Sequence, residues 1–146
     1  MGIYLNPGSA MFQKSLKSKI YVDKSGLLAI LNELVDTEQR YVCVSRPRRF
    51  GKSMAANMLA AYYGSSEDTS ALFASLEISQ CAGYRDHLNQ YDVLKINMQD
   101  FLSESQSIED MLAHLTACLI RDLKNGFPQI AVSYTHLRAH ETELHL

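Results

Sequence analysis

The residues best equipped for chemistry stand together at Ser45-Arg46-Pro47-Arg48-Arg49-Phe50-Gly51-Lys52-Ser53. The last three match the end of the Walker A pattern GxxxxGK[ST], a loop that cradles nucleotide phosphates. Gly51 has no Cβ, so phosphate oxygens can approach its backbone closely. The free N–H groups from Gly51 through Met54 would point at such an anion, and the dipole of the following helix adds favourable potential. Lys52 offers a point charge to the β- and γ-phosphates, and the Ser53 hydroxyl is placed to ligate Mg²⁺. Arg46 stands where the pattern has its first glycine. Pro47 offsets that change by fixing one φ angle and holding Arg46 extended. Arg48 and Arg49 add two cations for phosphate oxygens or for acidic groups elsewhere. The expected ligands are ATP and Mg²⁺. The expected binding set is Arg46, Pro47, Arg48, Arg49, Phe50, Gly51, Lys52, Ser53 and Met54, with Ser53 reaching the metal through the nucleotide.

Hydrolysis asks for more than a cradle: an acidic group must hold Mg²⁺ and help position water. An apolar strand ending in adjacent acids would provide it, and Val93–Asp100 does not, because polar Lys95, Asn97 and Gln99 interrupt the run. No catalytic residue is identified. ATP binding without hydrolysis by this chain alone is therefore expected, within a parent protein that is an ATPase. Two other readings use the same loop. A nucleic-acid-binding module would grip phosphodiesters with Arg46, Arg48, Arg49 and Lys52, but the rest of the chain adds no basic face or aromatic platform to match. A small-molecule kinase would use the loop as an ATPase does, with its acceptor site elsewhere.

The elements that must hold this loop are legible around it. Tyr41-Val42-Cys43-Val44 is a nearly all-apolar, β-branched run, the pattern of a strand buried on both faces of a parallel sheet. From Gly51 a helix is expected, with Met54, Met58, Leu59 and Tyr62 on one face and Gly64 as its C-terminal cap. An earlier helix, capped by Asp23 or Ser25, carries Leu27, Leu28, Ile30, Leu31, Leu34 and Val35 at helical spacing. Val93–Met98 alternates like a strand. Ser107 pairs with Asp110 in a capping-box spacing and opens a helix whose stripe is Ile108, Met111, Leu112, Leu115, Leu119 and Leu123. Helices alternating with strands point to an α/β fold, an incomplete P-loop NTPase-type three-layer domain with a parallel sheet.

The 146 residues fit one modest domain, and a formal net charge of −2 argues against a general nucleic-acid-coating surface. No apolar run is long enough for a membrane helix, and Met1–Lys19 lacks the apolar centre of a secretory signal. Cys43, Cys81 and Cys118 form no CxxC pair. They are expected to be reduced, buried thiols of a cytoplasmic protein. Residues 1–18 are expected as a loose lead-in and 19–132 as the domain. Residues 133–146 are expected as a non-native tail, because SYTHLRAHET has the look of a translated cloning adapter. That tail holds three of the five histidines. His140 and His145 imitate HExxH one residue out of step, which turns them about 140° apart on a helix instead of about 40°.

Four segments in order carry a family resemblance: Tyr21-Val22-Asp23-Lys24-Ser25, Ser45–Ser53, Leu72–Ile78 and Tyr91–Asn97. Together they resemble the bacterial AAA-ATPase-like family, whose members open with a YVDK element and carry an RPRRFGK[ST] loop. The resemblance spans about residues 12 to 130, and that family's own loop lacks the first glycine. It implies an ATP-binding P-loop domain, usually followed by a restriction-endonuclease-like nuclease domain through which DNA would be a partner. It further implies that the acidic hydrolytic element lies beyond the end of this chain.

Overall fold

A computed structural model describes residues 2–129 of the chain, so the tail from 133 and its histidines lie outside the described residues. The described residues are helical and contain no sheet. Seven α-helices run in order: α1 (Ala10–Leu16), α2 (Gly26–Leu34), α3 (Lys52–Tyr63), α4 (Ser70–Phe73), α5 (Tyr84–His87), α6 (Met98–Glu104) and α7 (Ile108–Gly126), with a 3₁₀ turn at Glu77–Gln80. The expected parallel-sheet, three-layer α/β fold is thereby overturned. A strand exists only where a neighbour answers its backbone N–H and C=O groups. Tyr41–Val44 has no such neighbour among the described residues, and all of residues 41–50 are exposed. That segment stays exposed and open to solvent instead. The second expected strand, at Val93–Met98, gives way to a helix start: the Asn97 side chain accepts a hydrogen bond from the Gln99 amide and caps α6. A parallel bridge pairs Gly64 with Tyr91, and no bridge extends into a named strand.

The chain divides into two units. In the unit Asn6–Lys95 the core gathers Phe12, Leu28, Met58, Tyr62, Phe73 and Ile78, with Tyr62 and Phe73 fully buried. Phe12 stacks on Phe73 at 5.1 Å, and Tyr62 meets Phe73 edge-on at 5.3 Å. Each such pair adds about 0.5–1.5 kcal/mol beyond its burial. The expected loose lead-in thus contains α1, because Phe12 has a core to enter.

Polar groups fasten the same unit. The Tyr62 hydroxyl donates to the Tyr84 carbonyl at 2.7 Å and accepts from Asn32 at 2.9 Å, and the Tyr63 hydroxyl donates to Asn32 Oδ1 at 2.7 Å. Asn89, in a left-handed conformation at φ 57°, donates to the carbonyl of Gly64 at 2.8 Å and accepts from the Thr69 amide at 3.1 Å. The loop from 64 to 69 is held against the end of α3 in this way. Asp23 bolts the start of α2 to the 3₁₀ turn: its carboxylate accepts from the Ser25 amide at 2.8 Å and the Glu77 amide at 2.7 Å. Buried Ser25 completes the joint by accepting from the Ile78 amide at 3.1 Å.

The other unit comprises Met1–Leu5 with Ile96–Leu146. Its helix α7 starts as expected, with the Ser107 side chain accepting from the Asp110 amide. The buried face is shifted from the expected stripe, however. Met111, Cys118 and Asp122 face inward, while Ile108 and Leu112 are exposed. Asp122 accounts for the shift: its buried carboxylate accepts from the Tyr4 amide at 2.6 Å and the Leu5 amide at 3.3 Å, so a polar residue belongs to the inner face. Of the cysteines, all free, only Cys118 is buried; Cys81 is half-buried and Cys43 exposed. Among the described residues no helix is long and apolar enough to cross a membrane.

Candidate functional site

The residues expected to bind nucleotide form an exposed loop that feeds directly into α3. Arg48 and Arg49 make a turn, and Arg49 adopts φ 69°. That left-handed conformation costs a side-chain-bearing residue on the order of 1–2 kcal/mol. Gly51 then takes φ 79° at the N-cap of α3, where a glycine carries no such penalty. Left-handed residues at 49 and 51 with Phe50 between them follow the alternating backbone pattern of a nest, which suits an anion. The amides from Arg48 to Met54 donate no hydrogen bond to any described residue. They are four or more unanswered donors at the positive end of a twelve-residue helix.

The side chains around the loop are arranged with equal clarity. Lys52, the first residue of α3, turns back so that its ammonium donates to the Arg46 carbonyl at 2.9 Å. Lys24, which precedes α2, donates to the Phe50 carbonyl at 2.9 Å. A cavity of about 260 Å³ opens beside them, with Lys24, Leu27, Val44, Phe50, Lys52 and Glu77 in its walls. Gly26, Arg46, Gly51 and Ala55 complete the lining. Of the expected binding residues, then, Arg46, Phe50, Gly51 and Lys52 meet in one cavity. Pro47, Arg48, Arg49, Ser53 and Met54 lie outside its walls. Ser53 is exposed and its hydroxyl makes no hydrogen bond to a described residue. Met54 is 38% exposed, so it does not join the buried face of α3 with Met58 and Tyr62.

Charge in the cavity is lopsided. Lys24, Arg46 and Lys52 face a single acid, Glu77. Among the described residues none of these three cations has a carboxylate within ion-pair distance. Two larger clefts lie away from the loop around Arg85 and carry no comparable gathering of free cations and amides. The described residues hold no cluster of His, Cys, Asp and Glu fit to bind a metal by itself.

A family model described as "Predicted AAA-ATPase" matches residues 9–143. The chain belongs to this AAA-ATPase-like family. No curated protein and no solved structure matches it. Membership is in keeping with nucleotide binding in general. Within this AAA-ATPase-like chain, sequence reasoning missed Glu77 as a wall of the cavity. Its position is set by the Asp23 bond to its amide, a contact across 54 residues. The only local signal was that Glu77 falls in one of the four resembling segments.

Proposed function

We propose that the chain binds ATP, with Mg²⁺, through the loop Arg46–Met54. The observation that carries this reading is the run of undonated amides from Arg48 to Met54 at the start of α3. Buried amides find partners inside a protein, and exposed ones arrayed in a nest at a helix start are suited to phosphate oxygens. Lys52 needs only to leave the Arg46 carbonyl to reach a phosphate on the same side of the loop. A charge-assisted bond is roughly twice as strong as the neutral one it would replace, so a polyphosphate favours the exchange. Arg48 and Arg49, neither ion-paired among the described residues, supply further charge at the mouth of the loop.

Mg²⁺ keeps several waters and takes few protein ligands. The Ser53 hydroxyl fits that requirement because nothing else occupies it, and the remaining positions would be filled by phosphate oxygens and water. When bound, the metal would offset the charge of the phosphates. Glu77 is the lone acid in the cavity walls and has no acidic neighbour there, so hydrolysis by this chain alone is not expected.

Lys52→Ala tests the reading. Titration calorimetry with Mg·ATP should show affinity falling by about tenfold to a hundredfold, the worth of one hydrogen bond to a charged group. Unchanged ATP affinity in that variant would defeat the assignment. Loss of duplex DNA binding with a reduced salt slope, ATP affinity being untouched, would favour a nucleic-acid module instead.

A further inference from the structure

We propose that Lys24 is a second phosphate-binding cation, one that reads the terminal phosphate and so separates a nucleoside triphosphate from a diphosphate. This rests on the loop binding ATP. Lys24 and Lys52 come from different parts of the chain, one ahead of α2 and the other opening α3, yet both ammonium groups rest on carbonyls of the same loop at 2.9 Å. Both line the same cavity, and neither has a carboxylate partner among the described residues. A neutral carbonyl is the weaker acceptor, which a phosphate oxygen displaces.

The position of Lys24 says which phosphate it meets. A Cβ placed on Gly51 would stand 2.9 Å from Lys24 Nζ. The space left open by the missing Cβ, through which a phosphate approaches the backbone, therefore opens onto Lys24. The loop amides would surround the inner phosphates, and Lys52, shared between the β- and γ-phosphates, would offset only part of the outer one's charge. The terminal group carries about two negative charges and lies furthest from the amides, so it is the one with charge left unanswered. A diphosphate held with its phosphates at the loop amides places no phosphate at that outer position, and Lys24 then stays on Phe50.

The competing role for Lys24 is a latch that only holds the loop in shape. Lys24→Gln separates the two, because a glutamine amide can still donate toward the Phe50 carbonyl but carries no charge. Mg·ATP and Mg·ADP affinities of the whole chain are measured by calorimetry for the wild type, Lys24→Gln and Lys52→Ala, with a thermal melt of each. In Lys24→Gln, ATP affinity should fall by about tenfold or more and ADP affinity by less than about twofold. Lys52→Ala should weaken both nucleotides. Equal losses for ATP and ADP in Lys24→Gln, or none, would overturn the role of Lys24 while leaving the loop assignment intact. A wild type that binds neither nucleotide would remove both proposals together. Lys24 is exposed, so its variants should melt like the wild type; if Lys24→Gln does not, Lys24→Met is read by the same criterion.

Discussion

The two ends of α3 make an instructive pair. At its C-terminal end Met58, Ala61 and Tyr62 are buried, and the Tyr62 hydroxyl both donates and accepts, to Tyr84 and from Asn32. No buried side-chain nitrogen or oxygen among the described residues lacks a partner. At the N-terminal end, a dozen residues earlier, the amides donate to no described residue, two lysines rest on carbonyls, and Arg49 is held in an unfavourable conformation. One end follows the rules that stabilise a fold. The other leaves donors unanswered and strain unrelieved, which is the state expected of a surface waiting for a ligand. Because the same helix links them, the stable end gives the open end a rigid base.

The sharpest way to break this comparison is to exchange the consequences. Tyr62→Ala should destabilise the chain by about 3–5 kcal/mol, read by denaturant unfolding, since it removes a fully buried ring and strands the partners of its hydroxyl. Lys52→Ala should stay within about 0.5 kcal/mol of the wild type in the same experiment, as exposed positions do, while losing ATP. If Lys52→Ala unfolds like Tyr62→Ala, the loop is part of the scaffold and the division between the two ends fails.

Gly51→Ala should give an intermediate effect. At φ 79° the added Cβ costs on the order of 1–2 kcal/mol and meets the Lys24 ammonium at 2.9 Å. Since that ammonium is the end of a flexible side chain, Lys24 moves and the fold survives. ATP binding should weaken more than stability, because the space taken is the space a phosphate needs. An unchanged ATP affinity in a folded Gly51→Ala would place the phosphate elsewhere.

Arg49→Asn sharpens the contrast further by moving the two properties in opposite directions. Asparagine tolerates the left-handed region, so the melting temperature should rise modestly, by the equivalent of about 0.5–1 kcal/mol. The lost guanidinium should at the same time weaken ATP binding. A variant that gains neither stability nor loses affinity would mean that the φ of 69° is without cost and without purpose.

What the sequence revealed divides along the same line. The loop, the start of α3 at Gly51, the end at Gly64 and the Ser107 cap of α7 were readable because each depends on residue types a few positions apart. The sheet was misread because β-branched runs such as Tyr41–Val44 report a preference for burial, and burial requires a neighbour that the run itself does not encode. Asp122 on the inner face of α7 and Glu77 in the cavity wall were missed for a related reason. Each is placed by backbone amides distant in sequence: Asp122 accepts from the Tyr4 amide, and Glu77 is positioned by the bond from its own amide to Asp23. No periodicity carries those contacts. The seven-residue α1 was likewise invisible until Phe12 had a core to face.

The smallest effect tests the joint that sets Lys24 and Glu77 in place. Asp23 is partly buried, which by itself would raise its pKa. The Glu77 and Ser25 amides and the Ser25 hydroxyl outweigh burial and hold the carboxyl below its ordinary value of 3.8. A carboxyl depressed in the folded state stabilises the protein fully above its unfolded pKa, and that contribution disappears as pH falls through the folded one. Asp23→Asn should therefore melt below the wild type at pH 7, with the gap constant down to about pH 5 and closing below about pH 4. Asp68 is also drawn down, by the Ser70 hydroxyl and amide, but it is present in both proteins and cancels in the difference. Because Asp23 is mostly exposed, solvent screens the effect and the gap should amount to a degree or two. A gap that persisted unchanged at pH 3 would mean that the charge of Asp23 is irrelevant and that only its shape holds α2 to the 3₁₀ turn.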